Sequence, residues 1–415
     1  MRELGHELQP LEEVRETILS HVEALPVETC PLRRAHGRVL RQNIVANDLL
    51  PPFDNSAMDG YAVRVADLAD ASEERPVTLP VRGILQAGDA PTDALAAGTS
   101  VRIMTGAPMP PEAEAVVPHE LTTFTDESVT LVKPVRASQN VRPAGGDVRP
   151  GDVPFTAGRR LRSPGIAIAG ALGFADVEVT RSPRIGVISP GDELVDISET
   201  PGPGKIRNSN ELAIAAALLE VGAVPVHLGI VEDSRDALRE VIRRGVDDGL
   251  DGFVSTGGVS AGDFDFVQAV VREDARPGFV FKVAMRPGKP QVFGLFDGVP
   301  FFGLPGNPAA AVISFEVFVR PALRKMLGLE RVLPEAFGVR FSFAYSYKPG
   351  RVFLLRARVE PDPDGGYRVV QPGQQDSSFL SSLAHSNAIV MLSPDGGPIA
   401  PGDLRDAFWL GSAER

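Results

Sequence analysis

The chain has 415 residues, 43 % of them apolar, a formal charge of −12, one cysteine and six histidines. That length exceeds what one core organises, so two to four domains are expected, and the negative charge argues against broad binding to nucleic acid or anionic lipid. A single cysteine forms no internal disulfide, the histidines build no zinc framework, and no run reaches the roughly 18 apolar residues of a membrane span. A cytoplasmic protein with no nucleic-acid or membrane partner is the expectation.

In chain order, Leu11, Val14, Ile18, Val22 and Leu25 recur at spacings of three and four behind Pro10, which predicts an amphipathic helix over 11–25. From 45 to 147, short apolar runs such as VTLPV and SVTLV alternate with Gly, Pro and Asp and predict a β-rich insert. An Ala- and Gly-rich stretch follows, expected to return and pack on the first helix, so that 1–44 plus 148–180 form a small, mixed, discontinuous N-terminal domain. Residues 181–328 alternate strands with helices, the pattern of a three-layer α/β domain with a parallel-rich sheet. Pro321 is expected to end or bend its last helix. The strands of 329–415, separated by PDPDGG and PDGGP turns, predict a β-barrel-like C-terminal domain.

In open α/β sheets ligands bind beyond the carboxyl ends of the strands. Four loops leave predicted strands there: SPGDEL, EDS, TGGVSAGDFD and GLPGNP. They supply Asp192, Glu193, Asp233, Asp263 and Asp265, an all-oxygen set suited to Mg²⁺. The competing reading is that single aspartates cap helices, with Asp233 preceding the natural cap Ser234. Gly257 and Gly258 allow close backbone approach to an anion. Gly258, Ser260 and Gly262 also spell the GxSxG of hydrolases, but the only downstream histidine is His385, in the β-rich tail. Lys282, Arg286 and Lys289 in KVAMRPGKP, and Arg356 in RVFLLRARV, are candidates for holding an oxyanion, although such side chains are more often solvated surface.

PPFDNSAMDGYAVR resembles, nearly letter for letter, the signature of the molybdopterin molybdenumtransferases, the family that includes the E domain of gephyrin. IMTGAPMP, SPGDEL, STGGVSAGDFDFV, RPGKP and GLPGNP match further family motifs in order, over almost the whole chain. The resemblance implies Mg²⁺-dependent insertion of molybdenum into adenylylated molybdopterin with release of AMP. It carries catalytic roles to Asp59, Asp147, Glu193, Asp233 and Asp265, the last three also as metal ligands. Substrate binding falls to Thr105, Gly257, Gly258, Ser260, Lys282, Arg286, Lys289, Asn307, Arg356 and Ser377. It further implies a homodimer with the site between the α/β domain of one subunit and the insert of the other, and a molybdopterin adenylyltransferase as partner. Arg286 stands where the family usually has Lys, Pro190 where Thr or Ser is common, and Asn208 where Asp is frequent. A non-catalytic scaffold like gephyrin is the alternative, and an adenylyltransferase, resembling the α/β domain alone, is the third reading.

Overall fold

The computed structural model describes residues 8–259 and 266–411. At its centre is a six-stranded sheet in the order Val224–Val231, Arg184–Pro190, Gly252–Thr256, Val299–Leu304, Pro290–Phe296, Gly278–Lys282. The first four strands are parallel, Pro290–Phe296 runs against them, and Gly278–Lys282, antiparallel to Pro290–Phe296, runs with them again. The chain leaves Arg184–Pro190 toward one edge, returns past it to Gly252–Thr256, and so creates a switch point where a cleft opens beyond the strand ends.

Local chemistry sets the helices between these strands. Ser209–Val221 starts at Asn208, whose side chain accepts from the Glu211 amide, and stops at Gly222 in the left-handed conformation (φ 92°). Arg235–Asp247 is capped by Ser234, which accepts from the Ala237 amide. The last helix does not end at Pro321. Pro308–Ser314 passes through a π turn at Phe315–Val319 and resumes as Arg320–Met326, with Pro321 in its first turn. Inside a continuous helix a proline removes one amide donor from the ladder, and the π turn just before it is where the ladder changes.

The first helix is shorter than predicted, Leu11–Ser20, and Leu25 is instead tied through its amide to the Met326 carbonyl. It also packs elsewhere than expected. Leu11, Val14, Ile18 and Val22 join the α/β core with Phe281, Phe315 and Leu323. The Ala- and Gly-rich helix Ser163–Ala171 packs instead among Leu32, Leu40, Ile44, Leu161 and Val179. The stripe of the first helix is bulky and aliphatic and matches the aromatic face of the α/β core; the smooth small-residue helix fits a thinner layer.

The insert is a six-stranded sheet built between Gly60 and Leu131. In the C-terminal region Phe337–Phe341, Val352–Pro361, Tyr367–Pro372, Ala388–Leu392 and Leu404–Trp409 pair in a ring, because Val352–Pro361 also bonds Ala388–Leu392. Closure leaves this barrel without a free edge. Among the described residues no helix is long and apolar enough to cross a membrane.

Candidate active site

Beyond the carboxyl ends of the parallel strands lies a cavity of about 1010 Å³, walled by the α/β domain and closed on one side by Arg351 and the Gln375–Ser378 segment of the barrel. Two strand-end loops supply its floor. Gly257 (φ 122°) and Gly258 (φ 64°) follow Gly252–Thr256. The Gly257 amide is bound to the Leu304 carbonyl at 2.9 Å, and a side-chain carbon at Gly306 would stand 3.5 Å from the Gly257 Cα. The two glycine loops therefore lie nearly backbone to backbone. Asn210 locks the second of them by donating to the Gly306 carbonyl at 2.8 Å.

The acidic wall is formed by Glu193 and Asp233. Gly191 has φ 145°, and a Cβ there would meet the Glu193 carboxylate at 2.6 Å, so only glycine lets this carboxylate fold back over its own loop. The Asp233 amide donates to Asp192 at 3.3 Å. Burial, first of all, raises the Asp233 pKa above the usual carboxylate range, and the neighbouring Asp192 and Glu193 charges add to the rise. Among the described residues no three His, Cys, Asp or Glu side chains form a ready-made metal cage. Asp265, predicted as the third metal ligand, lies outside the described residues, as do Ser260 and Asp263.

Arg286 and Lys289 line the same cavity from the RPGKP loop. The Arg286 guanidinium lies 5.7 Å from the centre of the Phe353 ring, a cation–π contact that aims the charge along the barrel face. Asn307 and Ser377 meet across the domain boundary, the Asn307 amide donating to the Ser377 hydroxyl at 3.0 Å while the Ala309 amide donates to the Ser377 carbonyl at 3.1 Å.

Several predicted residues stand elsewhere. Lys282 lies at the end of an edge strand, off the cavity wall. Arg356 is fully buried behind the wall, and its guanidinium donates to the Gln374 and Asp376 carbonyls at 2.9 Å each. It shapes the loop that carries Ser377 rather than reaching the cavity. Asp59, Thr105 and Asp147 belong to the insert and do not line this chain's cavity. Asp59 is exposed and accepts from both the hydroxyl (2.6 Å) and the amide (2.7 Å) of Thr105, which hold its pKa below the usual carboxylate range. Asp147 is placed by its amide on the Leu50 carbonyl, and the adjoining loop is tied to the PPFDNSAMDGYAVR segment by Ala144 N–H donating to Asp54 at 2.7 Å. His385, needed by the hydrolase reading, is also off the cavity wall.

Sequence reasoning missed Asn210 and Arg351. Asn210 follows a capping residue in IRNSN and reads as helix start, while an arginine after a Pro-Gly turn reads as solvated surface. Asn208, the departure from the frequent Asp, serves its own helix start. Its amide donates to the Glu211 carboxylate at 2.6 Å, a neighbour that an aspartate in its place would repel.

Three family models cover the chain: the MoeA N-terminal region (domain I and II) at residues 9–173, a probable molybdopterin binding domain at 186–325, and the MoeA C-terminal region (domain IV) at 339–407. The molybdopterin molybdenumtransferase of Bacillus subtilis is 36 % identical over 86 % of this chain and 83 % of its own length. The chain belongs to the molybdopterin molybdenumtransferase family. The molybdopterin molybdenumtransferase 2 of Mycobacterium tuberculosis is 36 % identical over 95 % of this chain and 98 % of its own. The crystal structure of the molybdopterin biosynthesis MoeA protein of Pyrococcus horikoshii matches with a TM-score of 0.83 at 27 % identity, covering 97 % of this chain and all of that one. The family is one of transferases, and its three regions include the insert and barrel that an isolated α/β domain lacks.

Proposed function

We propose that this transferase inserts molybdenum from molybdate into adenylylated molybdopterin and releases AMP, in a Mg²⁺-dependent reaction. The observation that carries the reading is that two carboxylates, Glu193 and Asp233, and two cations, Arg286 and Lys289, line one cavity together with the glycine loops. Molybdate and a diphosphate repel each other, so fixed cationic donors lower the cost of bringing them together. Arg286 and Lys289 are placed to hold the oxyanion, and the Gly257–Gly258 backbone gives a phosphate close approach.

The donor chemistry fits a magnesium ion. Mg²⁺ uses one or two protein carboxylates and completes its shell with water and substrate phosphate, and Asp233, its pKa raised by burial and by negative neighbours, is a group that a cation would relieve. Such an ion would neutralise charge on the diphosphate as AMP departs. Glu193 and Asp233 would hold it, with Asp265 as the expected third ligand.

Asp59, Thr105 and Asp147 are assigned to the same reaction through a second copy of the chain, whose insert would cover the open side of the cavity. In support, Phe53 and Met58, in the same segment as Asp59, are 44 % and 39 % exposed. A symmetric dimer would bury such side chains twice. A molybdopterin adenylyltransferase is the natural supplier of the substrate.

The test is to incubate the purified protein with adenylylated molybdopterin, Mg²⁺ and molybdate, and to follow AMP release and transfer of active cofactor to a molybdenum apo-enzyme. Release that needs both molybdate and Mg²⁺ is expected; no release above the protein-free blank sinks the reading and leaves a gephyrin-like scaffold.

A further inference from the structure

The cation-bearing loop is held from below by a side chain that the reaction itself does not call for. Gln291 directly follows RPGKP, in the strand Pro290–Phe296, and is 2 % exposed. Its amide nitrogen donates to the Gly288 carbonyl at 2.7 Å and to the Ser314 hydroxyl at 2.6 Å. Ser314 is fully buried at the end of the helix Pro308–Ser314. That helix begins beside Asn307, the residue joined to Ser377, so one amide connects the RPGKP loop with the element that carries the GLPGNP wall.

The loop itself has little freedom to stand without this support. Gly288 sits at φ 99°, and a Cβ there would lie 2.6 Å from the Met285 side chain, 2.8 Å from the Ser314 hydroxyl and 3.4 Å from the Gln291 amide. The backbone is thus pressed onto the Gln291–Ser314 pair, with Arg286 two residues before Gly288 and Lys289 directly after it. A buried amide with both donors used in this way specifies one position for its partners, because any displacement leaves it unsatisfied in a dry interior.

We propose that Gln291 is a positioning residue that sets where Arg286 and Lys289 place the oxyanion, acting through the Gly288 carbonyl and Ser314. The inference rests on the transferase reading and adds to it a residue that touches no substrate. Gln291 holds the loop to the sub-ångström placement on which donor geometry toward a tetrahedral oxyanion depends.

Gln291→Met keeps the length of the side chain and removes both donors. The expected result is a KM for molybdate raised about tenfold, as for partners that orient a ligand without touching it, with kcat and the KM for adenylylated molybdopterin much less affected. Ser314→Ala, which leaves the Gly288 contact in place, should give a smaller rise in the same direction. Gln291→Glu keeps the shape but turns an acceptor toward the Gly288 carbonyl, and is expected to resemble Gln291→Met rather than rescue it. Thermal unfolding accompanies each variant, so that misfolding of Gln291→Met is recognised and Ser314→Ala then decides. Wild-type turnover with an unchanged molybdate KM in Gln291→Met, or in Ser314→Ala where Gln291→Met does not fold, overturns the positioning role alone. A wild-type protein that neither releases AMP nor binds molybdate by calorimetry overturns the transferase reading and this role with it.

Discussion

The α/β rim and the face of the insert that carries Asp59 are built in opposite ways. At the rim, Glu193, Asp233, Lys289 and Asn307 are delivered by separate strand ends into one concavity, and their order in the sheet guarantees their meeting. On the insert, Asp59 and Thr105 form a self-contained exposed pair, with Asp147 on a loop tied to the same segment, and none of the three lines the rim cavity. A rim collects side chains within one chain, whereas an exposed carboxylate preorganised by a threonine stands free to meet a second surface. That contrast is the physical reason for proposing that the two sets of residues meet between two copies of the chain.

The largest expected effects test the rim. Lys289→Ala and Glu193→Gln should each lower kcat/KM by about 10²- to 10³-fold, the scale for removing one fixed charge or donor from a closed site, while the melting temperature stays near that of the native protein. A parallel loss of stability would mean that these side chains hold the loops rather than the substrate.

The sharpest test joins the regions. Asp59→Asn and Glu193→Gln, each strongly impaired alone, should regain AMP release when co-expressed and purified as a mixed dimer, because one of its two sites would then be intact. If both residues serve a site within one chain, the mixed dimer stays impaired and the comparison collapses.

Asp233→Asn should separate function from stability. The pKa of Asp233 is raised in the folded protein, so the fold prefers this group protonated: its contribution is full below the ordinary carboxylate pKa and is lost as pH rises through the raised value. At neutral pH the neutral variant is therefore expected to melt at the same temperature or higher, with AMP release lowered, as read by calorimetry beside the assay. A lower melting temperature would argue that the charged form is held by favourable partners.

The smallest effect concerns Thr105. Its hydroxyl is the leading cause of the depressed Asp59 pKa, with its amide second. Thr105→Val keeps the amide bond and should move the acid limb of the activity profile to higher pH. The sign follows from the depression: Asp59 stays ionised below the ordinary carboxylate range and loses that advantage as pH falls through its folded pKa. An unmoved acid limb would show that Asp59 does not govern it.

Much of the central domain is legible in the sequence because its signals are local. The cap at Ser234, the helix from near residue 210 to Val221 ended by Gly222, and the acidic or glycine-rich turns after each strand are written within a few residues of chain. Side chains whose surroundings come from distant segments are not legible in this way. Arg356 reads as a cation on a barrel strand, yet folding closes Gln374–Asp376 over it. Arg351 and Asn210 read as a turn and a helix start, yet both face the cavity.

Alternating strands and helices, turn residues and ordered motifs were enough to specify an α/β domain flanked by a β insert and a β tail, since hydrophobic period and turn chemistry act over a few residues. The packing of Leu11, Val14 and Ile18 on the α/β core, the joining of Asn307 to Ser377 across a domain boundary, and the burial of Gln291 beneath the cationic loop were decided only in the folded molecule. These depend on which surfaces are complementary in shape and on where buried polar groups find partners, quantities that no single stretch of chain contains.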